Sequence, residues 1–486
     1  MNISLALLSG ILLILAFPRA NMAWLAPVAL TPILVSCARE KSWKLRFLNG
    51  WAGGFVFWFG VCYWIQFVLE VHGGLGRWLS WLTFVLFAAL KGLHMAVFAL
   101  LAGYLLKKTW AIPAVAALWT GLERTHGTFG FAWLDLGNAG INMPLPMRLA
   151  PLVGVYGLSF VFAALACAVV CVIMRRPLLE LAWLAPLVAL PFLPSLPPPA
   201  PATQSVRVVQ PNIDSEAQWT EKSLAEQEKR LAGLSYDPGV PLIVWPEAPA
   251  PFYPSDRDFR DFVSRVARES NAYLLFGGVG HTAAGEPLNS AFLVNPYGII
   301  TGQYDKIKLV PFGEFVPPPF GWVNRITKEA GDFAPGSRIV VFSVNGHGLG
   351  AFICYESAFP HLVRQFARDG AEALVNLSND GYFGTSAARE QHLEVARMRA
   401  AENRRWILRA TNDGITATID PAGRVTERLE PYREVGATMR LSYVDTLTPY
   451  TRHGDWFAWG CLIAGLACAV LFQTEQDRSA RPKRPR

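Results

Sequence analysis

Apolar positions are unevenly spread along this chain. Long apolar runs fill the first 195 residues, a stretch of mixed polarity follows, and one further apolar run lies near the C-terminus. A bilayer core of about 30 Å takes ~20 apolar residues as helix. Apolar runs, several of them shorter than that and 110–122 the weakest, fall at roughly 3–18, 22–38, 51–70, 79–105, 110–122, 149–173, 178–194 and 456–473, which predicts eight membrane spans. The segment LPSLPPPAPATQ (193–204) is Pro-rich and stiff, as suits a linker leaving the membrane. Beyond it, strand-like apolar runs occur at Val206–Gln210, Leu242–Trp245, Tyr273–Gly278, Ser290–Val294, Gly348–Cys354, Ala373–Leu377, Trp406–Ala410 and Ile415–Ile419. Helix-like runs at about 215–235, 256–270, 358–369 and 386–404 alternate with them. Strands alternating with helices argue a layered α/β domain. The predicted organisation is a membrane domain of seven helices (1–195), a linker (196–204), the layered domain (205–450), an eighth span (456–473) and a basic tail (474–486).

Charge sets the orientation. The net charge of +7 could suggest nucleic acid, but no nucleic-acid motif is present and the positives cluster at the ends of apolar runs. Arg39, Lys41, Lys44 and Arg46 follow span two, Lys107 and Lys108 follow span four, Arg175 and Arg176 follow span six, and the tail ends RSARPKRPR. Eight spans with both termini in the cytoplasm put all four clusters on one side, and the layered domain on the opposite, extracytoplasmic face. The first run has no polar n-region and no clear cleavage site, so it reads as a retained helix. Lys91 and His94 fall near the middle of span four. Such residues are functional candidates, with a buried helix–helix hydrogen bond or snorkelling as the plainer alternative.

Candidate chemistry begins with the seven cysteines. Cys37, Cys62, Cys167, Cys171, Cys461 and Cys468 lie in or beside predicted spans, where cysteine behaves as a small apolar residue. Cys354 alone lies in the layered domain, at the end of the apolar strand in LGAFICYESAFP, where a strand turns into a helix. Nucleophiles are often placed at such turns; a buried structural thiol is the alternative. In LIVWPEAP, Glu247 follows an apolar strand whose neighbours would desolvate it, which suits a proton acceptor. In YDKIKLVPFGEFVP, Lys306 could stabilise a developing oxyanion, and Glu314 follows. Singly, each is as easily a solvated surface charge. No metal-spacing cluster is present.

Taken together, Glu in WPE, Lys in YDK with PFGE after it, and Cys in CYE resemble the Glu–Lys–Cys signature of the nitrilase superfamily. The resemblance implies an α–β–β–α sandwich, with Glu247 as general base, Lys306 as transition-state stabiliser and Cys354 as nucleophile. The wider matches VQPNI, LNSAFLV, KLVPFGEFVP, ICYES, NLSNDGYFG, QHLEVARMRAAENRRW and RATNDGITA, with LAFP and ERTHGTFGFAWLDLGN in the membrane half, resemble the membrane branch of that superfamily, the apolipoprotein N-acyltransferases. That implies a polytopic α-helical membrane protein with an inserted extracytoplasmic nitrilase-like domain, in the bacterial inner membrane with the catalytic domain periplasmic. It implies no cofactor, a phospholipid acyl donor, a diacylglyceryl-modified apolipoprotein acceptor and a monomer in the bilayer. By the same resemblance Glu314 is a second essential Glu, Glu356 follows the nucleophile, and Trp219, Phe315, Tyr355 and Tyr382 shape the mouth or arms of the site, with ordinary core packing the alternative for Trp219, Phe315 and Tyr382.

Three positions depart from the family pattern: Lys308 where His is frequent, Tyr382 where Trp is common, and Ala132 where Pro is usual. The loops carrying Phe312, Phe315, Phe320, Trp322, Tyr382 and Phe383 are aromatic beyond what a core needs, and are expected to dip into the outer leaflet and gate the site. Two rival readings stand: a membrane-tethered amidase or nitrilase acting on a small substrate, and a transporter or receptor. The latter needs a polar pathway, for which the spans offer little beyond Lys91 and His94.

Overall fold

The computed structural model describes residues 2–128, 130–199, 201–214, 217, 219–247, 250, 252–311, 313–315 and 333–480, with side chains to Leu471. Phe312, Phe320 and Trp322 of the aromatic loop, and residues 481–486 of the tail, lie outside the described residues. The chain forms two compact units. One comprises Met1–Gln66, Trp78–Leu196 and His453–Arg486, the other Phe67–Arg77 and Pro197–Arg452.

The N-terminal part runs through helices α1 (Asn2–Ala16), α2 (Thr31–Arg39), α3 (Trp43–Val61), α4 (Trp64–Val71), α5 (Arg77–Leu105), α6 (Ala111–Arg124), α7 (Ala150–Val153) and α8 (Val155–Ile173). A C-terminal helix, Trp456–Ala480, packs on α6. Small residues let the helices approach backbone to backbone, as packing in lipid favours. A Cβ on Gly53 would stand 2.6 Å from the Ala6 carbonyl oxygen of α1. By length and composition, α5 and α8 can each cross a membrane, and α3 with α4 qualifies if that pair, bent by 59°, is one span. Asn2–Ala16, Leu178–Phe192 and Trp456–Leu471 are shorter apolar helices.

Several predicted spans are therefore reshaped. The run at 22–38 is α-helical only from Thr31, after a 3-10 turn at Ala23–Leu25. Pro27 has no N–H to continue a helix through that stretch. The run at 178–194 winds as a 3-10 helix through Pro186 and Pro191. The run at 51–70 starts earlier, at Trp43, and breaks after Val61. Lys91 donates to the Phe131 carbonyl at 2.9 Å and lies 4.5 Å over the Trp58 ring, a buried helix-to-loop link. His94 packs edge-on against His126 at 4.6 Å.

The second unit is the layered domain. Its strands are β1 (Gln204–Gln210), β2 (Leu242–Val244), β3 (Tyr273–His281), β4 (Pro287–Val294), β5 (Ile300–Asp305), β6 (Val341–Val344), β7 (His347–Ile353), β8 (Ala373–Ser378), β9 (Trp406–Thr411), β10 (Ala417–Ile419), β11 (Val425–Arg428) and β12 (Val435–Leu441). They form two six-stranded sheets, in the orders β12-β1-β2-β3-β4-β5 and β11-β10-β9-β8-β7-β6. Helices α9 (Glu221–Ser235) and α10 (Arg257–Ser270) pack on the first sheet. Helices α11 (Pro360–Arg368) and α12 (Ala388–Asn403) pack on the second, and α13 (Pro449–His453) ends the unit. The sheets meet face to face through Val206, Leu275, Leu349 and Ile407, so the layers run α–β–β–α. The period of the apolar positions explains the helices: α10 buries Phe259, Phe262, Val263 and Val266 on one face, and α11 buries Leu362, Val363 and Phe366.

Strands β1–β3 are parallel, as are β7–β9. Strand β5 is antiparallel to β4, which is antiparallel to β3, so β5 points the same way as β3. The carboxyl ends of β2 and β5 therefore share one end of the first sheet, as those of β7, β8 and β9 share one end of the second. Sites gather at such ends.

Candidate active site

Glu247 lies just beyond β2, Lys306 follows β5 directly, and Cys354 follows β7 directly. Lys306 is 1% exposed, and Nζ sits between two carboxylates: Glu247 Oε1 at 3.1 Å and Glu314 Oε1 at 2.7 Å. Asn289, on β4, donates from Nδ2 to the same two oxygens at 2.9 and 2.6 Å. The remaining carboxylate oxygens are held by backbone. The Asn379 N–H donates to Glu247 Oε2 at 3.0 Å, and the Val310 N–H to Glu314 Oε2 at 2.8 Å. Burial by itself would push the Lys306 ammonium down, but the charges of Glu247 and Glu314 outweigh it and hold the group well above the usual lysine range. Lys306 is thus a fixed cation.

Cys354 is buried and lies within electrostatic reach of both Lys306 and Glu247. Burial, then the Glu247 charge, pushes its thiol well above the ordinary range, with Lys306 opposing. The resting group is a neutral thiol, and it ionises only as its proton leaves. Its backbone φ is +49°, left-handed and uncommon outside glycine. Such a conformation costs of order 1–3 kcal/mol and persists only where neighbours over-determine it.

Glu356 is fully buried behind the nucleophile. Its Oε1 accepts from Tyr304 Oη at 2.7 Å and from the N–H groups of Ile307 at 2.7 Å and Lys308 at 3.2 Å. Its Oε2 accepts the Ile353 N–H at 2.8 Å. One carboxylate therefore ties the backbone flanking Lys306 to the backbone preceding Cys354. Burial raises its pKa, and these donors oppose the rise.

The structure gathers Glu247, Lys306, Glu314, Cys354 and Glu356 in one place. Tyr355 is buried edge-on against Phe359 at 5.1 Å. Tyr382 is partly exposed, 4.7 Å from the His72 ring, and within electrostatic range of Glu247 and Glu314. Phe315 is half-buried in a bridge to Pro311. Trp219 is partly buried and packs on the apolar core that includes Leu231, Phe259 and Phe262. Lys308 turns its ammonium over the Phe359 ring at 5.5 Å. Sequence reasoning assigned no role to Asn289, Ser378, Asp380, His392 or Arg409, although the motifs that contain them stand out.

A carboxylate, a fixed cation and a buried thiol at adjoining strand ends can perform nucleophilic acyl transfer without a metal. Residues 205–447 match the carbon-nitrogen hydrolase family, and residues 9–168 match the apolipoprotein N-acyltransferase N-terminal domain. An apolipoprotein N-acyltransferase of Geobacter metallireducens is 32% identical over 96% of this chain and 94% of its own. One of Azotobacter vinelandii is 34% identical over 96% of this chain and 93% of its own. Among solved structures, an amidase of the nitrilase superfamily from Nesterenkonia AN1 aligns with 53% of this chain and 94% of its own, at 18% identity and a TM-score of 0.39. On the full-length matches and the two family matches, the chain belongs to the apolipoprotein N-acyltransferase family.

Proposed function

We propose that the protein moves a fatty acyl group from a membrane phospholipid to the N-terminal α-amine of a diacylglyceryl-cysteine apolipoprotein, in two half-reactions through a thioester on Cys354. The observation that carries this reading is the Lys306 ammonium clamped between Glu247 and Glu314 beside a buried thiol. In the first half-reaction Glu247 accepts the thiol proton and sulfur adds to the ester carbonyl. Lys306 stabilises the tetrahedral oxyanion, the C–O bond breaks, and the lysophospholipid alkoxide leaves with the proton from Glu247. In the second, the lipoprotein amine adds to the thioester carbonyl, Glu247 takes a proton from nitrogen, and the C–S bond breaks to return the thiol. All atoms balance without a cofactor.

The apolar helices suit a membrane setting. The one-sided clusters of Lys and Arg favour eight spans, cytoplasmic termini and a periplasmic catalytic unit in the bacterial inner membrane. The test is the intact mass of the purified full chain after exposure to phospholipid vesicles. One added acyl chain is expected, released by neutral hydroxylamine and absent from Cys354→Ala, which should also lose transfer. Retained transfer in Cys354→Ala overturns the assignment. A wild-type thioester that hydrolyses as fast as it transfers would favour a membrane-tethered hydrolase.

A further inference from the structure

Behind the Glu–Lys–Cys cluster lies a second set of buried polar groups that the acyl-transfer scheme leaves without a part. Asn376, Ser378, Asp380, His392 and Arg409 are all shielded from solvent. Arg409 donates from Nη2 to both oxygens of Asp380 at 2.7 Å, and from Nη1 to Asn376 Oδ1 at 2.5 Å. Ser378 Oγ donates to Asp380 Oδ1 at 3.0 Å; the parallel β7–β8 register, Ile353 opposite Leu377, sets Ser378 beside Cys354, within reach of its thiol. His392 Nε2 stands 3.0 Å from the Cys354 carbonyl oxygen.

The tautomer of His392 follows from its partners. A carbonyl oxygen only accepts, so Nε2 carries the hydrogen. Nδ1 stands 3.0 Å from Arg409 Nη2 and 3.2 Å from Asp380 Oδ1; a neutral ring has one hydrogen, which Nε2 carries, so Nδ1 is bare and accepts from the guanidinium. Burial, then the Arg409 charge, pushes the imidazole pKa down and keeps the ring neutral. Burial by itself would raise the Asp380 carboxyl, but Arg409 holds it well below the carboxylate range, so Asp380 stays charged. The ring is therefore a fixed, neutral N–H donor aimed at the backbone of the nucleophile.

We propose that the Asp380–Arg409 pair positions the nucleophile at both ends, Arg409 fixing the Cys354 carbonyl through His392 and Asp380 fixing the Cys354 thiol through Ser378. The need for such a device is the +49° φ of Cys354, which an L-residue leaves unless its neighbours hold it. Asn379, between Ser378 and Asp380 in sequence, fixes Glu247 through its N–H. One three-residue stretch at the end of β8 thus registers base and nucleophile against each other. These are positioning residues, and the inference rests on Cys354 being the nucleophile.

The test uses the full chain in detergent micelles with phospholipid. His392→Phe keeps a ring but removes the donor, and His392→Gln keeps an N–H of similar reach. Three quantities are read: the rate of acyl-enzyme formation against lipid concentration, the alkylation rate of Cys354 by iodoacetamide, and thermal unfolding. A misplacement of about 1 Å can cost ~10²-fold in rate, so His392→Phe should lower the maximal acylation rate by about that factor with KM for lipid unchanged. His392→Gln should recover most of it, and alkylation should slow and recover in parallel. A His392→Gln variant as slow as His392→Phe, or a loss confined to KM, overturns the proposal. Should His392→Phe fail to fold, Ser378→Ala reads the other link, and full acylation and alkylation rates there overturn it equally. Alkylation does not need acyl transfer, so a wrong nucleophile shows separately, as transfer that survives in Cys354→Ala.

Discussion

Lys306→Met probes the charged cluster most sharply. Methionine keeps the unbranched shape of the side chain and removes the ammonium. The two carboxylate oxygens that now share Nζ, at 3.1 and 2.7 Å, would face each other with Asn289 alone between them. Oxygens that share one such partner lie within ~6 Å of each other, where like charges raise one another's pKa. Removing one partner of a buried ion pair costs about 3–5 kcal/mol, and proton uptake by one carboxyl relieves the loss. The raised carboxyl pKa means that the folded variant binds a proton the unfolded chain releases. Its stability is therefore retained at low pH and lost as pH rises through the raised value. In the wild type, Lys306 is held above the usual lysine range, so its contribution persists through neutral pH and is lost only above that range. Thermal unfolding of the full chain from about pH 5 to 8 should show the variant close to wild type at the acid end and progressively behind it, by up to ~3–5 kcal/mol. Adding Glu314→Gln should restore stability and flatten the pH dependence. Acylation should stay ~10²–10³-fold down, as for a lost oxyanion donor. A pH-independent loss, or no recovery in the double variant, would refute the shared ammonium. Recovery of acylation together with stability would refute the oxyanion role.

Alkylation of Cys354 in the lipid-free enzyme should keep climbing with pH beyond ~8.5, where an ordinary thiol levels off, because burial and Glu247 hold the thiol up; a plateau near that value would show an unperturbed thiol. Glu356→Gln replaces one acceptor oxygen by a donor that must face Ile353, or else Tyr304, Ile307 and Lys308. It should destabilise by about 1–3 kcal/mol for each donor left unsatisfied and slow acylation by displacing Lys306; unchanged unfolding would remove Glu356 from its structural role.

The parts of the layered domain that were legible in the sequence share a physical cause. The eight strand-like runs correspond to β1–β4 and β7–β10, the inner strands of the two sheets. The four strands that left no such signal, β5, β6, β11 and β12, are the four sheet edges. Inner strands are covered on both faces and read as near-continuous apolar runs, as the fully buried β2, β8 and β9 do. Edge strands are half-solvated: β5 (ITGQYD) and β11 (VTER) mix polar residues at intermediate burial, which reads as loop. In the membrane part, apolar content marked the runs but could not show where Pro27, Pro186 and Pro191 reshape them, because hydropathy does not register a missing N–H.

The same logic explains which site residues were hidden. Glu247, Lys306 and Cys354 were visible because each terminates a strand, where chemistry is expected. Asn289, Asn376, Ser378 and Arg409 lie inside β4, β8 and β9, and Asp380 and His392 look like ordinary residues of a turn and a helix. Yet β8 and β9 are buried at every position. A polar group in such a strand is tolerable only with a partner. Asn376 and Ser378 in ALVNLS, and Arg409 in WILRAT, are therefore polar interruptions that must be answered from elsewhere in the fold. Their answer is Asp380, which Arg409 and Ser378 reach directly, with Asn376 joined through Arg409. A second network behind the nucleophile was thus implied by the chain itself, in residues that break an otherwise apolar inner strand. What the sequence withheld was the partner, since only the parallel register of β8 and β9 sets Asn376 opposite Arg409.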